Sequence, residues 1–242
     1  MKIEAYGRTD VGKVRERNED QALVGERLFV VADGVGGHNA GDVASSMVVA
    51  QLDDLDVKTF DSAESALAAL IAGIVDANDR IHHRATQEAE REGMASTVTA
   101  GLIHDKTMVF AQVGDTRAYL KRGDAEPLRR LTPDHSFVGA LVDAGYITAE
   151  EARVHPKRSV ILKAVGLESH VEPEAGEVVE LQPNDEIILV SDGVHGVITD
   201  QQLDQLIHGR PLAQAVDDVI SAAREAGGPD NITIIVVRVT DG

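Results

Sequence analysis

The feature that most constrains this chain is a repeated design in which a short apolar strand ends on an aspartate followed by glycine. Residues 28–32 form an apolar run that predicts a buried strand, and the run stops at Asp33-Gly34. A second apolar run, residues 187–190, leads to Asp192-Gly193. Aspartate is depleted inside strands, so an aspartate at a strand end is typical of a turn or of a ligand. The glycine beside it lets the backbone take positive φ and come close to whatever the carboxylate holds.

Two further acids lie at predicted strand ends. Asp115 closes the strand-like run 108–113, and Asp230 opens the last apolar run of the chain. Each acid taken alone fits an ordinary turn equally well. Carboxylates brought together from distant strand ends would repel one another unless cations lay between them. The recurrence of the design therefore indicates a site for a hard metal ion.

Length and composition favour one large folded domain. The chain has 242 residues, and we find no Pro/Gly/Ser-rich linker or low-complexity tract in it. We therefore expect residues 1–242 to form a single domain. Hydrophobic residues make up 43% of the chain and aromatic residues only 3%, so Val, Ile, Leu and Ala must fill the core.

Charge and residue usage exclude several classes of function. The formal net charge of −18 argues against nucleic acid and against anionic membranes as partners. The absence of cysteine excludes disulfides, thiolate metal sites and cysteine-nucleophile phosphatases. The sequence contains neither a P-loop motif nor a strand-anchored G-x-G-x-x-G, so nucleotide binding has no support from these motifs. The first residues lack a signal-peptide pattern and no apolar run reaches the ~20 residues of a membrane span, so we expect a cytoplasmic protein.

A charged segment, residues 11–20, follows the first predicted strand, residues 2–10. Such segments are usually solvated turns. Arg15, however, presents a planar guanidinium suited to phosphate oxygens, and it lies five residues before Asp20. Arg15 therefore either holds a phosphoryl group beside the metals or belongs to a solvated turn.

The remaining pattern predicts an α+β protein, because strands come in antiparallel runs and helices are inserted in pairs. Ser62 is the predicted cap of the longest helix, and Pro211 lies in the first turn of the last one. The predicted helices are 42–55, 62 to about 92, 200–208 and 211–226, with two short helical pieces in 137–158. The predicted strands after the glycine loop are 96–104, 107–113, 117–121, 171–181, 186–191 and 232–239.

Taken as an ordered set, the motifs resemble the bacterial branch of the PPM/PP2C metal-dependent protein serine/threonine phosphatases. The resemblance covers residues 3–239, and the set is far more specific than any of its members. Its members are Val14-Arg15-Glu16-Arg17-Asn18-Glu19-Asp20, Ala32-Asp33-Gly34-Val35-Gly36-Gly37-His38, Val113-Gly114-Asp115-Thr116-Arg117, Leu131-Thr132-Pro133-Asp134-His135-Ser136, Val190-Ser191-Asp192-Gly193 and Gly228-Pro229-Asp230-Asn231.

The resemblance implies a fold of four layers (αββα), in which two antiparallel sheets are flanked by helices and the metals lie at one edge between the sheets. By matched position, Asp33 would bridge two ions, with Asp192 and Asp230 completing the shell of the first. Glu19 and the carbonyl of Gly34 would hold the second ion.

Four further roles follow from matched positions. Asp20 would orient the water on the metals, and Arg15 would bind the phosphate. Asp115, together with Asp192, would form a weaker third metal site. Residues 137–158 match a mobile flap, and we use that name for them below.

The implied chemistry is hydrolysis of phosphoserine and phosphothreonine by direct attack of a water that bridges two metal ions. Oxygen ligands suit Mn²⁺ or Mg²⁺ better than zinc. Such a pair lowers the pKa of the water and aligns it for attack on phosphorus without a phosphoenzyme. The expected partners are phosphoproteins, targets of Ser/Thr kinases, and the expected oligomeric state is a monomer.

One departure from the family pattern concerns the acid that protonates the leaving alkoxide. Many eukaryotic members place a histidine directly after Asp-Gly, where this chain has Val35. The nearest histidine is His38, beyond two glycines. His38 either reaches the leaving group or has a structural role in the loop, and water on a metal is the alternative proton donor.

Two other functions compete with a general phosphatase. A catalytically silent binding module would have no reason to keep so many like charges together. A phosphatase dedicated to one small regulator is equally compatible with the motifs, and phosphopeptide profiling would separate it from a general antagonist of kinases.

Overall fold

The strands form two antiparallel sheets. The computed structural model describes residues 1–36, 40–123 and 126–241. Within these ranges the strands are β1 Lys2–Asp10, β2 Asp20–Val24, β3 Leu28–Val35, β4 Ala95–Ser96, β5 Val98–His104, β6 Thr107–Val113, β7 Arg117–Arg122, β8 Arg129–Arg130, β9 Glu174–Ala175, β10 Val179–Glu180, β11 Asp185–Val190 and β12 Ile232–Thr240. One sheet has the order β1-β12-β11-β7-β8. The other has the order β10-β6-β5-β3-β2, with β4 beside β3 and β9 beside β6.

Seven α-helices lie within the described ranges. They are α1 Gly41–Leu52, α2 Ala63–Gln87, α3 Phe137–Asp143, α4 Ala149–Arg153, α5 Asp192–His195, α6 Asp200–Ile207 and α7 Leu212–Glu225. Short 3₁₀ turns cover Asp53–Asp56 and Ala89–Arg91. Ser62 caps α2 by accepting the backbone N–H of Ser65. No helix in the described ranges is long and apolar enough to cross a membrane.

Alternation of apolar side chains along the strands separates three hydrophobic cores. In β3, Leu28 and Val30 pack under α1 and α2, whereas Phe29 and Val31 point between the sheets. In β12, Ile235 belongs to the core between the sheets, and its neighbours on either side face α6 and α7. Both faces of each sheet are therefore covered, which gives the four-layer α+β arrangement expected from the family resemblance.

The structure corrects several predicted boundaries. The predicted strand 171–181 is reduced to the two-residue strands β9 and β10, because Pro173 and Gly176 interrupt it. Helix α2 ends at Gln87 instead of near residue 92, since Glu88 has an extended backbone conformation. Strand β3 does not stop before Asp33 but continues to Val35.

Strand register brings the ends of both sheets to one edge. Asp20 at the start of β2 is paired directly with Asp33 in β3. In the other sheet, Val190 at the end of β11 is paired with both Arg117 of β7 and Ile234 of β12. The loops that hold Asp115, Asp192 and Asp230 therefore meet at the edge where β2 and β3 present their acids.

Candidate metal centre

The structure collects six acidic residues from the two sheets at this edge. Their proximity is reflected in the pKa of Asp33, which is raised by the charges of four of the others. Burial, and then the negative charges of Asp20, Asp192, Asp115 and Asp230, raise the pKa of Asp33 well above its usual value. We call Glu19, Asp20, Asp33, Asp115, Asp192 and Asp230 the acid cluster.

Asp20 lies deepest in the acid cluster and is only 2% exposed. Its Oδ2 accepts hydrogen bonds from the hydroxyls of Ser191 at 2.8 Å and Thr233 at 2.6 Å. Burial nevertheless raises the pKa of Asp20 to about 6, against the effect of these hydrogen bonds. Its other oxygen, Oδ1, is buried and has no hydrogen-bond partner among the described residues.

Asp192 and Asp115 also carry buried carboxylate oxygens without partners. The Oδ1 atom of each is inaccessible to solvent and accepts no hydrogen bond from the described part of the chain. The pKa of Asp192 lies well above its usual value because of burial and then the charges of Asp115 and Asp230. For Asp115, burial and then the charge of Asp134 raise the pKa to about 7. An unpartnered buried carboxylate oxygen is costly, so these atoms mark a place for a cation.

The two Asp-Gly pairs need glycine because other backbone comes too close for a side chain. A Cβ on Gly34 would lie 2.2 Å from the carbonyl oxygen of Gly41 and 2.7 Å from that of Glu19. A Cβ on Gly193 would lie 1.8 Å from the carbonyl oxygen of Asn231. Neither glycine has a positive φ. Close approach of the backbone therefore explains both glycines, and the left-handed conformation does not.

Glu19 lies at the margin of the acid cluster. Its backbone N–H donates to Oδ1 of Asn231 at 2.8 Å, and its carbonyl oxygen accepts the hydroxyl of Ser45 at 2.6 Å. The side chain of Asn231 also donates to the carbonyl oxygens of Val11 and Arg17, at 3.0 and 2.9 Å. Asn231 thus fixes the charged N-terminal segment against the loop that holds Asp230.

Arg15 is the cation nearest to the acid cluster. Its Nη2 donates to Oδ2 of Asp230 at 2.8 Å, and its side chain is 50% exposed. The negative charges of Asp192 and Asp33 also act on it, after that of Asp230. Arg15 therefore faces the acid cluster across its open side.

The acid cluster opens into a cavity of about 870 Å³. Arg15, Asp115, Asp192 and Asp230 line it. The flap supplies much of the remaining lining through residues of α3, α4 and the turn after α4. The cavity is large enough for a side chain with part of its backbone.

The acidic side chains come close together, but among the described residues they do not yet form a complete set of metal ligands. Within residues 1–36, 40–123 and 126–241, no three Asp, Glu or His side chains are already arranged to hold a metal ion. His38, for which the sequence left open either proton donation or a structural role in the loop, lies outside the described residues, so its role remains a prediction.

Sequence reasoning assigned no role to several residues that build this site. Asn231, Ser191 and Thr233 hold the acidic loops, and His195 donates from Nε2 to the carbonyl oxygen of Asp115 at 2.9 Å. The signals in the sequence were the adjacency of Asn231 to Asp230 and of Ser191 to Asp192, and the positions of Thr233 and His195 three residues after Asp230 and Asp192. Which loop each side chain reaches became clear only from the strand order.

Comparison with known proteins identifies the family. Residues 14–235 match the family described as Protein phosphatase 2C. The chain therefore belongs to the protein phosphatase 2C family, and the resemblance inferred from its motifs is confirmed.

Among curated relatives, the serine/threonine phosphatase stp of Listeria innocua is 37% identical over 98% of this chain and 96% of its own length. The serine/threonine protein phosphatase PstP of Mycobacterium tuberculosis is 40% identical over 97% of this chain, which spans 44% of PstP.

Solved structures agree with the fold. The crystal structure of the M. tuberculosis phosphatase PstP/Ppp has a TM-score of 0.92 and 37% identity, with full coverage of both chains. The PstP catalytic domain in complex with two manganese ions has a TM-score of 0.90 and 36% identity over 99% of each chain.

Proposed function

We propose that this protein is a metal-dependent protein serine/threonine phosphatase. It would hydrolyse phosphoserine and phosphothreonine by direct attack of a water. The observation that carries the proposal is the acid cluster, in which carboxylates from both sheets converge and three keep a buried oxygen that has no partner among the described residues. The Arg15 guanidinium beside these acids supplies a binding group for a phosphoryl dianion.

The residues at the site fit the cations that the family resemblance implies. Asp33, Asp192 and Asp230 would hold one Mn²⁺ or Mg²⁺, while Asp33, Glu19 and the carbonyl of Gly34 would hold the second. Asp115 with Asp192 would hold a weaker third ion. Oxygen donors, buried carboxylates with raised pKa values and backbone carbonyls packed around Gly34 all favour a hard divalent cation. When bound, such ions would lower the pKa of the attacking water and offset the charge of the phosphoryl group.

The chain's own residues have separate tasks in this reaction. Arg15 binds the phosphoryl oxygens and orients phosphorus toward the acid cluster, which requires it to exchange Asp230 for the substrate. Asp20, held on one oxygen by Ser191 and Thr233, keeps its other oxygen directed into the cluster, where it orients water and accepts a proton. His38 is the proposed donor of the proton to the departing seryl or threonyl oxygen.

The proposed substrates are phosphoproteins that Ser/Thr kinases modify. The relatives named above are serine/threonine phosphatases, and the cavity beside the acid cluster admits an extended peptide segment rather than a phosphate alone. We propose that residues 1–242 work as one catalytic domain, that the flap (137–158) contacts the substrate chain, and that the protein is a monomer.

The test is hydrolysis of a phosphothreonine peptide and of p-nitrophenyl phosphate by protein that has been treated with EDTA and then dialysed. We expect no turnover of either substrate until Mn²⁺ or Mg²⁺ is added. Full activity after exhaustive EDTA treatment would contradict the metal-dependent mechanism. Absence of phosphate release with either metal would contradict the phosphatase activity itself.

A further inference from the structure

Arg117 occupies the wall between the acid cluster and the flap. It begins β7, two residues after Asp115. Its Nε and Nη2 donate to Oδ2 of Asp134 at 3.2 and 2.6 Å, and its Nη1 donates to the hydroxyl of Tyr119 at 3.2 Å. The side chain of Asp134 is 1% exposed and that of Arg117 18%. A fork of this kind fixes two partners in one plane, which a lysine cannot do.

The first branch of this network reaches the start of the flap. Oδ1 of Asp134 accepts the backbone N–H of Ser136 at 3.1 Å. The hydroxyl of Ser136 in turn accepts the N–H of Gly139 at 3.0 Å, which caps α3. A Cβ on Gly139 would lie 2.6 Å from the carbonyl oxygen of Asp134. The first turn of the flap is therefore packed directly on the carboxylate that Arg117 holds.

The second branch reaches the end of α4. Tyr119 is fully buried, and its hydroxyl donates to Oδ1 of Asp200 at 3.4 Å. The same Oδ1 atom lies 3.9 Å from Nη2 of Arg153, the last residue of α4. Arg117 thus connects to both helices of the flap.

On its other side, Arg117 lies beside the loops of the acid cluster. His195, at the end of the short helix that Asp192 begins, donates from Nε2 to the carbonyl oxygen of Asp115. The charges of Arg117 and Asp134 both act on His195, so these side chains share one polar layer. The backbone N–H of His135 holds the same turn by donating to the carbonyl oxygen of Gly114 at 2.9 Å.

We propose that Arg117 is a positioning residue that joins the flap to the turn of Asp115, so that the two keep one relative orientation. The inference rests on the proposed phosphatase function. A protein substrate must contact both the acid cluster and the flap wall of the cavity, whereas a small aryl phosphate needs only the acid cluster. Arg117 therefore selects for phosphopeptides over small esters.

The chain contains a matched control for this arginine. Arg122, at the far end of the same strand, donates to both oxygens of the buried Asp185, at 3.0 and 2.7 Å. Neither Arg122 nor Asp185 lines the cavity. Arg117→Lys and Arg122→Lys therefore each weaken one arginine–aspartate pair of β7, but only the first pair contacts the flap, through Asp134.

The experiment compares these two variants in two measurements. Hydrogen exchange of the metal-free proteins should show the amides of Ser136, Gly139 and His135 exchanging roughly tenfold faster in Arg117→Lys and at the wild-type rate in Arg122→Lys. With Mn²⁺, Arg117→Lys should lose roughly tenfold in kcat on a phosphothreonine peptide, about the effect of one charge-assisted hydrogen bond, and much less on p-nitrophenyl phosphate.

Equal behaviour of the two variants in both measurements would overturn the inference. If Arg117→Lys does not fold, Tyr119→Phe cuts the branch to α4 alone and should speed exchange in α4; unchanged exchange there would also overturn it. Wild-type protein that hydrolyses neither substrate contradicts the proposed function and with it the role in substrate selection. The exchange comparison would still decide whether Arg117 joins the flap to the turn.

Discussion

Two regions of the same cavity differ in whether their buried carboxylates have hydrogen-bond and ion-pair partners. In the acid cluster, Asp115 and the partly buried Asp192 lie among other acids, and each keeps a buried oxygen that has no hydrogen-bond partner in the described part of the chain. Asp134 lines the same cavity and is about as buried as Asp115, but Arg117 binds one of its oxygens and Ser136 donates to the other. Burial alone would raise the pKa of Asp134, yet the charge of Arg117, together with the effect of His195 and the hydrogen bonds from Ser136 and Arg117, outweighs burial, so the pKa lies below its usual value.

The difference separates carboxylates that stabilise the fold from those that await a ligand. A buried acid with an arginine partner is satisfied within the chain, so it needs nothing from solution. A buried group of acids without cations raises the free energy of the folded state at neutral pH, and natural proteins retain such groups at functional sites. The acid cluster is of the second kind.

The largest effect should come from removing one charge at the centre of the acid cluster. Asp33→Asn or Asp192→Asn should lower kcat on either substrate roughly a thousandfold or more, because the charge stabilisation by a bound ion is worth several kcal/mol. Without metal, each variant should melt no lower than wild type, since the substitution relieves repulsion among buried acids. Near-normal turnover by Asp33→Asn would show that the cluster is not the metal site.

The next prediction concerns Arg15, which forms an ion pair with Asp230 of the acid cluster. Arg15→Ala should mainly raise KM, with a smaller loss in kcat, at a total cost of about 1.5–3 kcal/mol in kcat/KM. The reason is that Arg15 contacts the phosphoryl group in both ground and transition states. Since its side chain is 50% exposed, stability should change little. Unchanged kinetics would leave Arg15 as a surface partner of Asp230.

Removal of Asp115 should reduce activity more for a substrate with a poor leaving group than for one with a good leaving group. Asp115→Ala should lose far more activity on phosphopeptides than on p-nitrophenyl phosphate, because nitrophenolate departs without help whereas a seryl oxygen needs a proton or a nearby cation. Glu19, Asp33, Gly34, Asp192 and Asp230 remain in this variant, so calorimetry should still detect two tightly bound ions. Equal losses on both substrates, or loss of a tight ion, would mean that Asp115 has a different role.

The metal-free protein should lose stability as the pH rises. The pKa values of Asp20, about 6, and Asp115, about 7, lie above the usual value for aspartate, so the folded state keeps protons that the unfolded chain has released. Stability from these groups is fully present below about pH 4 and is lost as the pH rises through 6 to 7. The raised pKa of Asp20 alone accounts for a loss on the order of 3 kcal/mol in the free energy of unfolding.

Urea unfolding in EDTA at pH 5 and pH 7.5 measures this loss, and added Mn²⁺ should reverse it at the higher pH. Asp115→Asn, which cannot titrate, should reduce the dependence on pH. Metal-free wild type that is more stable at pH 7.5 than at pH 5 would contradict the electrostatic account of the acid cluster.

The local pattern of the sequence was sufficient for part of this site. Aspartates at the boundaries of apolar runs placed Asp33, Asp192 and Asp230 near one edge before any pairing was known, although Asp33 lies inside β3 and not at its end. The antiparallel meander and the caps of the long helices were predicted for the same reason, since alternation and capping are local properties.

The rest depends on which strand ends are neighbours in space. The link from His195 to Asp115 and the layer around Arg117 join segments about 80 and 17 residues apart, and no local pattern encodes them. The pattern predicts segment 171–181 as one strand, whereas Pro173 and Gly176 leave only two short strands there. The loop with His38 lies outside the described residues, so its prediction is still to be tested.

Calorimetric titration of Mn²⁺ into EDTA-treated protein at pH 7.5 tests the central claim most directly, because it measures binding without any substrate. Wild type should bind two ions tightly, and Asp33→Asn should lose this binding. Asp185→Asn, which removes a buried carboxylate already paired with Arg122, should bind as wild type does. No binding by wild type, or equal binding by wild type and Asp33→Asn, would contradict the assignment of the acid cluster as the metal centre.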